Sequence, residues 1–479
     1  MSAPELSATQ NESSAPATWQ ARIEAWQYVL LVTICAVGGA LRFYKLGAFS
    51  FWRDEMYTIR DSAGVMVRQI TDMPLSLVLT HLSIDQFGNS EWGARLAATV
   101  IGIATIFLLY FPIRRLLNVR IALLAMLLLA IVPWHIYWSQ NARFYTSLLL
   151  FFNLGLFCFH IGMEEDKPLY LIASLVFLGA AVMERLVALT FVPIVTLYWI
   201  LLFVLPYERP AGWRWRTFLI YIVPGLIVGI PFMWPFVNNL SDALSNFGFI
   251  NNNPIWILAG VVFYVTVPIF LLGLAGMWIA FGERSRTGLL LTLGALLPLL
   301  MVMAVSLFQY SANRYVFIAL PSWLVLASMA ALHLLNGSSK ASRIVALSVL
   351  AIMIMVPMVD NVMYYRFNSG NRPNWKAAYA YIERNWETGD IVAVPEPLLG
   401  EYYLPGKTVD VVTLDLDALA EGDQRVWFVE DLNLEYQRNQ VYEWLRSKSI
   451  EAAVFDVQVQ ARNFKMRVHE YLPPVLTEP

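Results

Sequence analysis

The chain has 479 residues, of which 58% are hydrophobic and only 14% charged, with net charge −2 and mean hydropathy +0.56, which excludes a disordered chain and an ordinary water-soluble one. The charge is unevenly spread: about 30 of the 68 Asp, Glu, Lys and Arg residues follow Tyr365, giving roughly +4 before that point and −6 after it. Neither balance suits a nucleic-acid partner.

The first segment, residues 1–25, is Ser-, Ala- and Thr-rich without a basic stretch leading into a short apolar one, so it reads as a disordered cytosolic tail and not a cleaved signal. Eleven apolar segments follow: Trp26–Leu46, Trp92–Phe111, Ile121–Tyr137, Tyr145–Met163, Leu169–Met183, Val187–Leu205, Phe218–Val237, Ile255–Phe281, Leu289–Leu307, Tyr315–Leu335 and Ser342–Tyr364. Several carry no charge over most of a bilayer's thickness, which takes ~20 apolar residues to cross as a helix. Helices are expected because backbone hydrogen bonds must close within the segment in lipid. The expected architecture is a polytopic α-helical membrane protein with about 11 transmembrane helices over residues 26–365.

Positive charge tests that count. With the N-terminus cytosolic, the inner loops carry Arg22, Arg114, Arg115, Arg120, Lys167, Arg209, Arg214, Arg216, Arg284, Arg286, Lys340 and Arg343, whereas the short outer loops carry Arg143, Arg185 and Arg314. The bias obeys the positive-inside rule. Its weak point is Glu164-Glu165-Asp166, an acidic run on the inner side. The same topology puts the long first loop, residues 47–91, and the polar region 366–479 on the outer side.

The polar region alternates helix-like Asn374–Trp386, strand-like Ile391–Pro395, Val409–Leu414 and Arg425–Glu430, helix-like Gln440–Lys448, and strand-like Ala452–Val457. That order predicts a small soluble α/β domain with some parallel pairing. No Gly-rich phosphate loop marks a nucleotide site there. Cys35 and Cys158 both fall in apolar segments, and His81, His135, His160, His333 and His469 show no metal-ligand spacing. No cofactor is called for, and a divalent cation held by carboxylates stays open.

Chemistry concentrates in the first loop and the lone outer arginines. Asp54 and Glu55 follow Phe51-Trp52-Arg53 directly after the first apolar segment, where a carboxylate could take a proton from an attacking hydroxyl; a merely solvated acidic loop is the alternative. The apolar stripe Leu75 to Leu82, with His81 and Asp85, suits a helix lying in the membrane interface. Glu91 and Arg95 are spaced as an ordinary i, i+4 ion pair. Arg143, within Ser139-Gln140-Asn141-Ala142-Arg143-Phe144-Tyr145, and Arg314 present forked guanidiniums suited to a phosphate, unless they only snorkel among interfacial aromatic residues. The Asn-rich stretch from Asn238 to Asn253 could bond a glycan or form a turn-rich connector.

The order Trp52-Arg53-Asp54-Glu55, Pro74-Leu75…His81, Glu91…Arg95, Ser139 to Tyr145, Arg314-Tyr315 with Pro321, and Asn374-Trp375-Lys376-Ala377-Ala378…Gly389-Asp390-Ile391-Val392 resembles the GT-C superfamily of polytopic glycosyltransferases. Within it, the likeness is to protein O-mannosyltransferases and bacterial lipid-carrier-dependent sugar transferases that modify lipopolysaccharide. The resemblance implies a multi-pass enzyme of a bacterial inner membrane, N-terminus cytoplasmic and C-terminal domain extracytoplasmic. It implies an inverting transfer from a polyprenyl-phosphate sugar to a glycan, lipid or protein acceptor. Asp54 and Glu55 match the catalytic acids; Arg143, Arg314, Glu91, Arg95, His81 and Tyr145 are the implied substrate contacts. A transporter or flippase of a lipid-linked sugar is the alternative, since the same charges could line a path.

Overall fold

The computed structural model describes residues 19–64, 74–229, 253–337, 339–431, 440–459, 462–463 and 465–473. Residues 1–18 of the expected tail and most of the Asn-rich stretch lie outside them. The membrane part comprises α1 (Trp19–Phe43), α2 (Arg53–Ala63), α3 (Leu75–Phe87), α4 (Glu91–Leu116), α5 (Val119–Ile131), α6 (Pro133–Ser139), α7 (Tyr145–Glu165), α8 (Pro168–Glu184), α9 (Phe191–Val204), α10 (Trp215–Pro224), α11 (Pro254–Val265), α12 (Val267–Gly282), α13 (Arg286–Ser306), α14 (Leu320–Leu335) and α15 (Lys340–Arg366). Among the described residues, seven helical stretches are long and apolar enough to cross a membrane, or nine if each of two bent pairs, α5–α6 and α11–α12, is one span. Each of the eleven expected segments carries helix among the described residues; α8 and the stretch Trp215–Ile227 are apolar but shorter than the others, and the end of the expected segment Phe218–Val237 lies outside the described residues.

The helices sort by burial. The α7 span and the span Asn313–Leu335 are each 83% buried and form the centre, while α1 and α15, at 11% and 17%, lie at the edge and present their apolar faces outward. Close approach depends on small residues, since lipid gives apolar helices no hydrophobic reason to associate. Gly155 of α7 lets Ser174 of α8 donate to its carbonyl at 2.7 Å. On α12, a Cβ at Gly276 would stand 2.1 Å from the Leu326 carbonyl oxygen of α14.

The bend of 61° between α5 and α6 begins at Pro133, whose missing N–H leaves the Leu129 carbonyl without its helical donor. Arg42, fully buried on α1, donates to that carbonyl at 3.1 Å and to the Ala130 carbonyl at 2.9 Å. It also meets His135 Nδ1 at 2.5 Å and Ser139 Oγ at 3.1 Å. A buried guanidinium thus pays no desolvation penalty unanswered, because its donors are matched to acceptors.

The acidic run at the α7–α8 turn is neutralised from neighbouring turns. Arg115 pairs with Glu165 at 2.5 Å, Arg286 with Glu164 at 2.5 Å and Arg214 with Asp166 at 3.3 Å, while Arg216 also bonds Asp166. Those basic residues were all assigned to one side, so the run no longer argues against the order of the spans.

The C-terminal region contains α16 (Trp375–Asn385), β1 (Ile391–Val394), α17 (Pro397–Tyr403), β2 (Thr408–Asp410), α18 (Leu416–Glu421), β3 (Val426–Asp431), α19 (Gln440–Lys448), β4 (Ile450–Phe455), the short hairpin β5 (Gln458–Val459) and β6 (Arg462–Asn463), and β7 (Met466–Tyr471). The main sheet has strand order β2-β1-β3-β7-β4, with β1 parallel to β2 and β3, and β7 antiparallel to β3 and β4. The expected parallel pairing is present. The expected strand Val409–Leu414 is cut to β2 followed by a 3-10 turn, Val411–Thr413.

Gly276→Ala should drive a methyl into the α14 backbone and destabilise the bundle by about 1–3 kcal/mol. Thermal unfolding in detergent would show it as a lowered Tm; an unchanged Tm would mean that α12 and α14 pack less closely.

Candidate active site

The backbone of Trp52 is extended (φ −119°, ψ 166°) and starts α2, so Asp54 and Glu55 occupy its first turn, where negative charge is favoured by the unpaired N–H groups. Successive helical side chains diverge by about 100°. The two acids therefore face different surroundings.

Glu55 points inward and is fully buried. Arg95 holds it bidentately at 2.7 and 2.8 Å, Arg372 approaches at 3.2 Å, and the Ala142 N–H donates at 2.9 Å. Arg95 spends its other donors on the carbonyls of Leu46, Phe49 and Ser50. Burial by itself would raise the Glu55 carboxyl pKa, but Arg95, Arg372 and the hydrogen bonds outweigh it and hold it below its ordinary value. Both oxygens of Glu55 are thus occupied by protein donors and, unlike Asp54, it does not line the adjoining cleft.

Asp54 points to the other side and keeps 20% of its side chain exposed. Its Oδ2 lies 3.4 Å from Arg314 Nη1 and 3.8 Å from Arg143 Nη2. Arg143 is fixed by donating to the Asp54 carbonyl at 2.9 Å and to Thr58 Oγ1 at 2.8 Å. The loop that carries Arg143 is tied down in turn by Trp52 Nε1 donating to Asn141 Oδ1 at 2.7 Å. The Nε atoms of both arginines are buried without a hydrogen-bond partner, leaving donors for a further acceptor.

Asp54 opens on a cleft of about 400 Å³ whose lining includes Tyr57, Thr58, Arg143, Phe144, Glu184 and Arg185. Glu184, buried at the end of α8, accepts from the Ser76 N–H at 3.0 Å and from Ser76 Oγ at 2.5 Å, which seats the start of α3 against the cleft. Arg185 and Arg143 both lie over the Phe144 ring, at 5.5 and 5.1 Å.

The remaining expected contacts are placed differently. Glu91 and Arg95 do not pair with each other: Glu91 accepts from Lys376 at 3.1 Å and from the Tyr403 hydroxyl at 3.1 Å, while Arg95 serves Glu55. Arg95 gains a fully buried bidentate carboxylate in Glu55, and Glu91 is left to Lys376 and Tyr403. Neither lines the cleft, and nor do His81, half-buried on α3, or Tyr145, buried against Trp138. Among the described residues, no group of three or more His, Cys, Asp or Glu side chains could hold a metal ion. Thr58, Ser76 and Arg372 carry no signal in the sequence, where Glu184-Arg185 reads only as a cap between two apolar segments.

Breaking the buried cluster should be costly. Glu55→Gln leaves two buried guanidiniums short of their counter-charge, an expected loss of about 3–5 kcal/mol. Because the folded-state pKa lies below the unfolded value, the stabilisation is full above roughly pH 4.3 and disappears as the pH falls through the folded value. Tm measured down an acid series should drop less steeply in Glu55→Gln than in the wild type; parallel curves would contradict the assignment.

A family model described as dolichyl-phosphate-mannose-protein mannosyltransferase matches residues 73–237, about a third of the chain. A search of curated proteins returns no match. Among solved structures, ArnT from Cupriavidus metallidurans in the apo state superposes with a TM-score of 0.56 at 15% identity, covering 96% of this chain and 100% of that one. The same protein bound to undecaprenyl phosphate gives 0.55 at 16% identity, over 95% of this chain and 100% of that one. The apo oligosaccharyltransferase of Archaeoglobus fulgidus gives 0.59 at 13% identity, over 88% of this chain and 71% of that one. From the ordered acids of α2, the helical bundle and these whole-chain likenesses, the chain has the fold of the GT-C superfamily of membrane glycosyltransferases.

Proposed function

We propose that the chain is a multi-pass membrane glycosyltransferase that moves one sugar from a polyprenyl-phosphate carrier to a hydroxyl or amine of a glycan, lipid or protein acceptor, with inversion at the anomeric carbon. The observation that carries this reading is Asp54: a carboxylate open to a cleft and flanked by two guanidiniums with unused buried donors. It is supported by the likeness to ArnT, which has been seen bound to undecaprenyl phosphate, and to the Archaeoglobus fulgidus enzyme, seen in complex with an inhibitory peptide and a dolichol-phosphate. The comparisons give the transporter alternative no support.

In this scheme the acceptor oxygen or nitrogen attacks the anomeric carbon as Asp54 takes its proton, and the bond from that carbon to the phosphate oxygen breaks. The carrier leaves as polyprenyl phosphate, whose charge Arg143 and Arg314 stabilise. Phosphate is a good leaving group once so held, so the second acid of an inverting glycosidase is dispensable. Before the donor arrives, the same two arginines neutralise Asp54. Phosphate binding draws them away and leaves the carboxylate a better base, which links catalysis to donor occupancy. The site end of the bundle is assigned to the extracytoplasmic face of a bacterial inner membrane, with residues 366–479 a domain on that face and the N-terminus cytoplasmic, a reading that rests on the distribution of Lys and Arg.

Asp54→Asn should cut turnover of a polyprenyl-phosphate sugar by about 10²–10⁴-fold while the donor still raises the Tm of the variant; full activity would remove Asp54 as the base. Arg143→Ala should raise the donor KM or lower kcat by at least about tenfold, and unchanged kinetics would return Arg143 to an interfacial role.

A further inference from the structure

Two arginines reach the Asp54 carboxylate, and two others that share its helix are turned to different acids. Arg143 and Arg314 reach it from distant parts of the chain. Arg53, its immediate neighbour on α2, is directed elsewhere: Nη1 lies 3.3 Å from Glu396 Oε1 of the C-terminal region. Arg60, nearly two turns further along α2, meets Asp61 at 3.1 Å. The guanidiniums of Arg53 and Arg60 both lie over the Tyr57 ring, at 5.8 and 5.0 Å. The cations that belong to α2 are thus engaged by acids other than Asp54.

Glu396 is well placed to hold Arg53. It immediately precedes α17, its side chain is 5% exposed, and α17 is fastened to the α2 entry by the Phe51 N–H donating to the Tyr403 hydroxyl at 2.8 Å. Nearby, Ser50 Oγ donates to the Pro373 carbonyl at 2.6 Å and Lys376 meets Glu91 at 3.1 Å. The carboxylate therefore comes from a rigidly docked element.

We infer that Glu396 is a positioning residue for the transfer reaction: by holding Arg53 on the C-terminal region it keeps a third guanidinium off Asp54, so that the base is neutralised only by the two arginines that the donor phosphate can draw away. The inference rests on the proposed role of Asp54 as base. A further cation within about 4–6 Å of a carboxylate favours its charged form by the equivalent of about 1–3 pKa units and weakens it as a proton acceptor. Arg53 is tethered to the same helical turn as Asp54, and a phosphate held by Arg143 and Arg314 would not relieve that contact. An ion pair that only fastened the C-terminal region to α2 would behave differently, because removing both partners would not restore what removing one had lost.

The test uses the purified full chain and a polyprenyl-phosphate sugar, comparing Glu396→Gln, the double variant R53Q/E396Q and Asp54→Asn. Glu396→Gln should lower kcat about tenfold with the donor KM within about twofold of wild type, and the double variant should recover to within about threefold of wild-type kcat. Wild-type kcat in Glu396→Gln, or a double variant as slow as the single one, overturns the inference while leaving the base in place. Full activity in Asp54→Asn overturns the base, and this inference with it. Where Glu396→Gln does not fold, Glu396→Asp keeps the buried charge while shortening its reach: a loss of kcat relieved by adding Arg53→Gln supports the inference, and no loss overturns it.

Discussion

The contact between Glu55 and its two arginines is the constraint on which the rest of the site depends. It joins the loop after α1, the first turn of α2, the start of α4, the loop before α7 and the segment leading into the α/β region. A carboxylate taken out of water costs several kcal/mol unless charge and hydrogen bonds answer it. Here a bidentate guanidinium, a second guanidinium and a backbone N–H do so, and the geometry admits little slack. Burying Glu55 in that cage sets the rotation of α2 about its axis. Asp54, one residue earlier, is thereby turned into the cleft.

The two ends of the helical bundle use charge in opposite ways. At one end, Glu164, Glu165 and Asp166 are matched by arginines from neighbouring turns, at exposed or half-exposed positions where each pair is worth little individually. At the other end, charges are buried or half-buried and some donors are left unanswered, notably Nε of Arg143 and Arg314. Unanswered buried donors are uncommon in native structures, and two of those found here belong to the arginines that reach Asp54.

Much of this was legible in the sequence because it rests on local pattern. The apolar segments mark the helices, Asn374 caps α16 by accepting from the Ala377 N–H, and Gln440–Lys448 is a helix over its expected length. Arg143, Arg314 and Asp54 could be named because lone charges in an apolar chain are conspicuous. Partner choice was not legible. Glu91 and Arg95 are spaced for one another, yet each is drawn to a group far along the chain, and nothing local distinguishes Arg372 from a surface arginine. β7 was overlooked because Arg467, His469 and Glu470 obscure its alternation, although it is the strand that joins β3 to β4.

Arg372 stands 317 residues beyond the carboxylate it helps to enclose. During synthesis the helices up to α15 are therefore made while Glu55 has only one of its two cations. A nascent chain in that condition carries an incompletely compensated buried site, and the first turn of α2 gains its final setting only after the segment following α15 has emerged. The order of synthesis thus delays completion of the cage around Glu55 until the polar region has emerged.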